Sequence, residues 1–287
     1  DSHWVTKLKE DRLEDIMPCI CCHNGCFPMA HYKGVACDTS MEDSSHMARC
    51  ALNPMTMDGG KYDLKPAKKS KKIAVIGGGI GGMEVARVAT IRGHKATIYE
   101  KTNQLGGVFI PAAAPSFKEK DKQLIAWYRR QMEKMNIEIK FNTEITDLSK
   151  LDVDEIVIAT GSKARKLKMP GNERCIDAID YLNDNSKAKE NVVIIGGGLT
   201  GCEIAYDLFL QGKKPVIVEA KNDLMAVTGL CLANSSYLRD YFKTKKVPVY
   251  LESQVCEITP TSVVITDKNG EKHEVIADTV ITAIGYN

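Results

Sequence analysis

The sequence predicts an α/β fold in which two Rossmann-like dinucleotide-binding domains follow a cysteine-rich segment. An apolar strand, a glycine-rich turn and a helix occur twice, and the first turn glycines, Gly77 and Gly196, stand 119 residues apart. An acidic residue follows each first glycine at the same distance of 23 residues, as Glu100 and Glu219. Six of the ten cysteines fall within the first fifty residues. A duplicated βαβ unit explains the long repeat better than a solenoid does.

Composition and charge are those of an ordinary globular protein. A length of 287 residues suits about two domains of ~150 residues each. The 44% hydrophobic and 26% charged fractions exclude a disordered or collagen-like chain, and the net charge of +2 does not indicate a nucleic-acid binder. Apolar runs are far shorter than the ~20 residues of a membrane span, and no targeting segment is visible. We therefore expect a cytoplasmic protein that binds neither nucleic acid nor membranes.

The elements of the N-terminal half follow from local patterns. A short amphipathic helix is expected over 4–13, a cysteine-rich loop over 18–54, and a solvated, lysine-containing linker over 55–71. Short, wholly apolar runs then suit strands that are covered on both faces of a parallel sheet. The first repeat is predicted to comprise strand 73–76, helix 80–92, strand 95–100, helix 118–134 and strand 154–159.

The second repeat shows the same order of patterns. Gly93 and Gly212 stand where helices of the two copies should end, which is a frequent position for glycine. Its predicted elements are strand 191–195, helix 199–210, strand 215–219, helix 235–245 and strands 247–252, 262–266, 273–276 and 279–284. The chain does not begin with Met and ends on an apolar run, so we expect a piece of a longer protein.

Both turns match the GxGxxG pattern of dinucleotide-binding loops. In that pattern the first glycine allows the tight turn, the second lets backbone approach a pyrophosphate, and the third lets the helix pack on the strand. The helix N-terminus then faces the phosphates, and the acid can bind ribose hydroxyls. Glycine turns without a nucleotide are the alternative, which the repeated context disfavours. The candidate glycines are Gly77, Gly79, Gly82, Gly196, Gly198 and Gly201.

The second site should prefer NAD(H) to NADP(H). The Glu219 carboxylate would repel a 2′-phosphate, although Lys221 lies close by in the sequence. In the first copy, Glu100 and Lys101 are followed by Gly106-Gly107, which resembles the flavin-side loop of FAD enzymes. The run that ends in Ala159-Thr160-Gly161 resembles the strand end where such enzymes cross to their NAD domain. These resemblances imply FAD in the first site and NADH in the second.

The clustered cysteines indicate a metal centre. Cys19, Cys22 and Cys26 are separated by two and then three residues, so that three sulfurs can face one small volume. A fourth thiolate would come from Cys37 or Cys50. Four thiolates suit an iron–sulfur cluster, while structural zinc and free thiols are the alternatives.

The order of these motifs resembles the C-terminal portion of the old-yellow-enzyme-like family of 2,4-dienoyl-CoA reductase, 2-enoate reductase and trimethylamine dehydrogenase. The run Ile16-Met17-Pro18-Cys19-Ile20-Cys21-Cys22 is similar to the family's Arg-Pro-Cys-Ile-x-Cys entry into its four-cysteine loop, with Met17 in place of Arg. Cys50-Ala51-Leu52-Asn53-Pro54 is similar to the segment around its fourth cysteine. The resemblance favours Cys50 as the fourth ligand, while the long gap after Cys26 keeps Cys37 open.

The resemblance implies an electron-input fragment. It would pass electrons from NADH to FAD, then to a 4Fe-4S cluster, and then to FMN in a TIM barrel of the same protein. That barrel would reduce an activated C=C bond of a small-molecule substrate of the enoate or enoyl-CoA type. The expected domains are an iron–sulfur segment with linker over 1–65, an FAD-binding domain over 66–165 and an NAD(H)-binding domain over 166–287, paired as in disulfide reductases. A homo-oligomer is possible, and no side chain of this chain is assigned as a catalytic acid or base.

The remaining candidates receive structural interpretations. His23 and His31 are expected to be polar loop residues, and Cys202 to be packed in the core. The other three scattered cysteines form no CxxC pair, which argues against disulfide-reductase chemistry. They are Cys175, Cys231 and Cys256.

Three alternative functions stay open. One is an amine-dehydrogenase-type relative that runs in the oxidative direction and holds a nucleotide structurally. Another is an electron-input subunit similar to the glutamate synthase small subunit, which the Cys50–Pro54 run disfavours. The third is a non-catalytic NAD-binding module with structural zinc. Metal content and NADH-dependent dye reduction would separate them.

Overall fold

The chain folds into two compact units. The computed structural model describes residues 3–23, 25–26, 49–56, 60–227 and 230–287. The first unit contains the described residues up to Ala113 together with Phe117–Gly161, and the second contains Ala114–Ser116 and Ser162–Asn287. The described cysteine segment clusters with the first unit. The division into three domains therefore stays a prediction.

The first unit is built on a four-stranded parallel sheet. The strand order is β3-β2-β1-β4, so the chain crosses from one side of β1 to the other after β3. A single 3-10 turn, Leu13–Asp15, lies ahead of the cysteines. The elements are α1 (Trp4–Lys9), β1 (Lys72–Ile76), α2 (Ile80–Ile91), β2 (Lys95–Tyr99), α3 (Phe109–Ala112), α4 (Glu119–Lys134), β3 (Glu138–Lys140) and β4 (Glu155–Ile158).

Helices α2 and α4 cover one face of this sheet. Their buried side chains, among them Met83 and Trp127, pack against Val75 and Ile98 of the central strands. The apolar face of α4, which includes Leu124 and Met132, is buried in this core. This packing fixes α2 directly behind the first glycine turn.

The second unit has a five-stranded parallel sheet and a three-stranded antiparallel sheet. The strand orders are β5-β12-β6-β7-β8 and β11-β10-β9. The elements are β5 (Cys175–Asp177), α5 (Ala178–Asn183), β6 (Asn191–Ile195), α6 (Leu199–Leu210), β7 (Lys214–Val218), α7 (Leu232–Lys245), β8 (Val249–Tyr250), β9 (Gln254–Ile258), β10 (Ser262–Thr266), β11 (Lys272–Ile276) and β12 (Thr279–Thr282).

The parallel sheet of this unit is buried on both faces. Helices α6 and α7 pack on one face through side chains such as Leu208 and Phe242. The antiparallel sheet covers the other face, where Val263 and Ile265 meet Val193. Two buried faces explain why β6 is apolar at nearly every position.

The repeat continues through the whole βαβ unit. Strands β1 and β6, helices α2 and α6, and strands β2 and β7 have the same lengths and begin 119 residues apart. The two copies therefore present their glycine turns on the same scaffold. The predicted fold class is confirmed by this architecture.

Some element boundaries differ from the sequence prediction. The first helix ends at Lys9 rather than near 13, because Asp11 adopts a left-handed φ of 53°. The strand expected over 247–252 is reduced to Val249–Tyr250, and Glu252 has a φ of 50°. Three strands, β3, β5 and β9, were not expected, since each is short or rich in polar residues. In the described part of the chain, no helix is long and apolar enough to span a membrane.

The burial of Cys202 leads to a prediction about thiol labelling. The side chain is fully buried in α6, and burial raises the pKa of its thiol to about 12. Because the thiolate is the reactive form, Cys202 should resist iodoacetamide at mildly alkaline pH until the protein unfolds. Cys256 is exposed and should react in the native protein. Peptide mass spectrometry after timed labelling would measure both, and labelling of Cys202 at the rate of Cys256 would contradict the structure.

Candidate functional site

The first glycine turn is shaped by approaches that only glycine permits. Gly77 has a φ of 109°, and a Cβ on it would lie 2.4 Å from the carbonyl oxygen of Ala159. A Cβ on Gly82 would lie 1.9 Å from the carbonyl oxygen of Gly77, so α2 packs directly on the turn. Gly79, in contrast, precedes α2 and has open space where a Cβ would point. That space lies at a helix N-terminus, where backbone N–H groups favour a phosphate.

Glu100 ties the first turn to the loop that follows strand β2. Its Oε2 accepts a hydrogen bond from the Gly78 amide at 2.7 Å, and its Oε1 accepts from the Thr102 amide at 2.8 Å. The residue is only 6% exposed. Since each carboxylate oxygen has two lone pairs, Oε2 keeps the capacity to accept from a ribose hydroxyl. Lys101 is exposed beside it.

The loop after Glu100, which we call the return loop, reaches the glycine turn through two residues without side chains, Gly106 and Gly107. The Gly106 amide donates to the Gly78 carbonyl at 2.8 Å, and a Cβ on Gly107 would lie 3.1 Å from the Cα of Gly79. Both glycines have positive φ angles, 128° and 55°. Arg129 of α4 holds this return loop by donating from Nε to the Leu105 carbonyl at 3.0 Å. The predicted residues Gly106 and Gly107 are therefore brought to the turn.

The end of strand β4 borders the same turn. The Cα of Thr160 lies 3.3 Å from the position of a Cβ on Gly77. Gly161 has a φ of 73° and open space around it. The predicted strand end is thus adjacent to the first glycine, as the carboxyl ends of neighbouring parallel strands should be.

The second glycine turn repeats this geometry. Gly196 has a φ of 109°, and a Cβ on it would lie 2.5 Å from the Ala283 carbonyl oxygen. A Cβ on Gly201 would lie 1.9 Å from the Gly196 carbonyl oxygen. Gly198 has open space and precedes α6. The two glycine turns therefore have equivalent backbone geometry.

Glu219 is placed as Glu100 is. Its Oε2 accepts from the Gly197 amide at 2.6 Å, and its Oε1 accepts from the Lys221 amide at 2.8 Å. The Lys221 ammonium donates to the Ala226 carbonyl at 3.1 Å. The carboxylate is thus fixed at the turn, while the nearest cationic side chain is engaged by backbone.

A cavity of about 670 Å³ opens at this second turn. That volume lies within the range of small-molecule and cofactor sites. It is bounded by the turn, the end of β7 and the end of β12. Its lining includes Gly196, Gly198, Thr200, Glu219, Lys221 and Tyr286.

The return loops are where the two sites differ. Met225 stands 119 residues after Gly106 and makes the equivalent hydrogen bond, from its amide to the Gly197 carbonyl at 2.7 Å. Met225 keeps a left-handed φ of 52° and is buried. Arg239 of α7 donates to the Leu224 carbonyl, as Arg129 does to Leu105 in the first unit. The first loop therefore brings two glycines to its turn, whereas the second brings side chains.

The described N-terminal cysteines are Cys19, Cys21, Cys22, Cys26 and Cys50. The Arg49 amide donates to the Gly25 carbonyl at 2.9 Å, which links the residue before Cys26 to the residue before Cys50. The Cys21 amide is 3.3 Å from Cys19 Sγ, and the Leu52 amide is 3.4 Å from Cys50 Sγ. Amide donors of this kind stabilise thiolates that bind a metal centre.

The donor set of this segment consists of thiols, which suits an iron–sulfur cluster and also a structural zinc ion. Cys37 and His31 lie outside the described residues, and the ligand set of Cys19, Cys22, Cys26 and Cys50 stays a prediction.

Comparison with known proteins places the chain in a family. The family model for pyridine nucleotide-disulphide oxidoreductases matches residues 53–153 and 146–287. The chain belongs to this family. Its members in the comparison are named reductases and oxidases, which confirms the expectation of an NAD(P)-dependent flavin oxidoreductase, and the family's domain implies FAD and NAD(H).

Three relatives of this oxidoreductase family cover the whole chain. Cinnamate reductase of Clostridium sporogenes is 38% identical over 289 residues, and NADH oxidase of Thermoanaerobacter brockii is 31% identical over 296 residues. The solved structure of 2-naphthoyl-CoA reductase with 2-naphthoyl-CoA matches with a TM-score of 0.87 at 29% identity. The chain spans 42%, 44% and 42% of these proteins, respectively. The resemblance to the ene-reductase family is thereby confirmed.

Several residues that shape the sites were missed in the sequence. Arg129, Arg239 and Met225 hold the return loops, and Asp15 anchors the segment before the cysteines. Extending the 119-residue offset past the acids would have paired Gly106 with Met225. The two arginines stand 110 residues apart, so no fixed offset relates them.

The third glycine of the first turn should be intolerant of a side chain. We expect Gly82→Ala to lower the free energy of unfolding of the first unit by about 2–3 kcal/mol, because the added Cβ would overlap the Gly77 carbonyl. Gly81→Ala is the matched control, since Gly81 is in the same helix with open space around it, and should change stability by no more than about 1 kcal/mol. Denaturant unfolding would compare them, and equal stabilities would refute the packing.

The acid of the second turn should set dinucleotide preference. We expect Glu219→Gln to raise the KM for NADH about tenfold and to narrow the gap to NADPH, because it removes the charge that repels a 2′-phosphate. Glu190→Gln removes an exposed carboxylate paired with Lys214 at the other end of the sheet and should leave both KM values unchanged. Steady-state dye reduction with each dinucleotide measures this. Unchanged NADH affinity in Glu219→Gln would contradict the assignment.

Proposed function

We propose that this chain is the electron-input portion of an NADH-dependent flavin and iron–sulfur ene-reductase. Reducing equivalents enter at the second unit, pass through the first unit and the cysteine segment, and leave for an FMN-binding TIM barrel of the same protein. There an activated C=C bond of the enoate or enoyl-CoA type is reduced. The observation that carries the proposal is the presence, in one chain, of two GxGxxG turns with unlike return loops and a cysteine-rich segment that packs on the first unit.

The second unit is the NADH site. Gly198 leaves the α6 N-terminus open to a pyrophosphate, and Glu219 offers a lone pair of Oε2 to ribose. The cavity that these residues border is large enough for the nicotinamide nucleotide half of NADH. The Met225 side chain packs in the core of the second unit, so the return loop of this turn lacks the glycine pair of the first turn.

The first unit is the FAD site. Gly79 is open at the α2 N-terminus, and Gly107 brings backbone without a side chain to within 3.1 Å of it. Thr160 and Gly161 complete the border of the turn at the strand end. A loop of glycines permits close approach along a longer ligand, and this difference from Met225 supports the order of the two cofactors.

The cysteine segment would hold a 4Fe-4S cluster on Cys19, Cys22, Cys26 and Cys50. Bound FAD supplies the conversion between hydride transfer and single-electron transfer that such a cluster requires. The segment that would hold the cluster lies on the first unit, because its residues Met17, Ile20 and Leu52 pack against the core of that unit. No side chain of this chain is assigned to proton transfer.

The names of the relatives support the substrate class. One is a cinnamate reductase and another a 2-naphthoyl-CoA reductase, so an acid or a CoA thioester with conjugated double bonds fits the proposed reaction. The NADH oxidase supports NADH as the donor. We propose both for the full protein of which these residues form the electron-input part.

The test is a pair of adjacent cysteine variants in the full-length, anaerobically prepared protein. Cys22→Ser should lose cluster iron and ene reduction, yet keep NADH-dependent dye reduction, because the dinucleotide sites stay intact. Cys21→Ser should keep iron and both activities, since Cys21 is not an assigned ligand. Iron, acid-labile sulfide and both activities would be measured.

Two results would contradict the proposal. Zinc in place of iron and sulfide would support a structural metal. Absence of NADH-dependent dye reduction in the wild-type protein would favour a nucleotide that is held structurally, as in the amine-dehydrogenase alternative.

A further inference from the structure

Asp15 is the centre of a clasp between the N-terminal segment and helix α4. We call the contacts of Asp15 with Lys134 and Trp127 the Asp15 clasp. The Lys134 ammonium donates to both carboxylate oxygens, at 2.7 and 2.8 Å, and the Trp127 indole donates to the Asp15 carbonyl at 3.0 Å. Arg130 adds a hydrogen bond to the Glu14 carbonyl at 2.8 Å. Three side chains of one helix thus hold two consecutive residues.

The Asp15 carboxylate is unusual in being buried. It is 7% exposed, and the hydrogen bond from Lys134 is the main reason that the pKa of Asp15 lies below its ordinary value. Arg12 approaches the same carboxylate at 3.3 Å, and the Lys7 ammonium donates to the Asp15 carbonyl at 2.7 Å. The Asp15 carboxylate thus accepts from Lys134 and Arg12, and its carbonyl accepts from Lys7 and Trp127. A buried acidic residue held in this way has a strongly preferred position, because moving it would leave a charge unpaired.

The clasp is connected to the first dinucleotide turn through packed side chains. Trp127 is 4% exposed, and the Arg87 guanidinium lies 5.7 Å from the centre of its ring. Arg87 forms two hydrogen bonds of 2.8 Å with Glu84, and both belong to α2, which begins beside Gly79. At the other end, Asp15 precedes Cys19 by four residues. Contacts between packed side chains therefore connect Asp15, which lies shortly before the cysteines in the chain, to the helix that follows the turn.

We propose that the Asp15 clasp is a positioning element, which holds the cysteine segment at a fixed distance from the first dinucleotide turn. This inference rests on the proposed function. Single-electron transfer slows steeply with distance, so a fixed separation gives a constant rate between the groups held at Gly79 and at Cys19. The apolar contacts of Met17 and Ile20 keep the cysteine segment on the first unit. The Asp15–Lys134 ion pair then fixes the position of the segment along helix α4.

The test uses full-length holoprotein with Asp15→Asn and, separately, Lys134→Met. Each removes the ion pair and leaves the glycine turns and cysteines unchanged. Glu155→Gln is the control, because it removes the exposed Lys71–Glu155 pair of the same unit at the opposite end of β4 from Thr160. Iron and flavin contents are measured first in all variants.

Hydrogen exchange is the structural readout. Residues 12–20 should exchange about tenfold faster in both clasp variants, the scale of losing one charge-assisted hydrogen bond, while β1 and α2 keep their protection. Asp15→Glu, which keeps the charge, should restore part of the protection. Exchange no faster than in Glu155→Gln would overturn the clasp.

Rapid mixing with NADH is the functional readout. The rate of flavin bleaching and the KM for NADH should be unchanged in the clasp variants. The rate of cluster reduction, followed by the absorbance of the cluster, should fall about tenfold, the same factor by which hydrogen exchange in residues 12–20 rises. The double variant should be no slower than either single variant, as expected for one shared interaction. If the cluster is reduced in both variants at the rate measured for Glu155→Gln, the positioning role of the Asp15 clasp is overturned and the proposed function stands. An iron-free wild-type protein would overturn the proposed function and this inference together.

Discussion

The tight packing of the third glycine of each turn on the first glycine is the constraint on which both sites depend. A Cβ on Gly82 or Gly201 would lie 1.9 Å from the carbonyl oxygen of Gly77 or Gly196. Because the third glycine has no Cβ, the helix can start directly behind the strand. The N–H groups of the helix then face the space at Gly79 and Gly198. The acids then fasten the next amide of each turn, so helix, strand and acid form one rigid anion-binding unit.

The two copies of that unit coincide in their scaffold and differ in the residues nearby. Strands, helices and acids coincide at an offset of 119 residues, and so does the amide that returns to the turn, from Gly106 or Met225. The residues at that return point differ, because Gly106 has no side chain and Met225 packs its side chain in the core of the second unit. In the proposed function this difference separates the FAD site from the NADH site on one repeated scaffold.

Local patterns predicted the parts of the fold that local interactions determine. Apolar runs and glycine spacing were sufficient for β1, α2, β6 and α6, because a buried parallel strand and a glycine turn have short-range requirements. The pairing of Asp15 with Lys134 depends on tertiary packing between distant segments, and no periodicity signals it. The arginine contacts to Leu105 and Leu224 also depend on tertiary packing. Polar strands such as β9 form only because they pair with neighbouring strands, so their own sequence does not predict them.

Hydrogen exchange of the full-length protein with and without NADH tests the assignment of the two sites most directly. The account predicts that NADH protects amides around Gly198 and Lys221 in the second unit and leaves those around Gly79 and Gly107 unchanged, because the first turn already holds FAD. Protection confined to the first turn, or no protection at either, would contradict it.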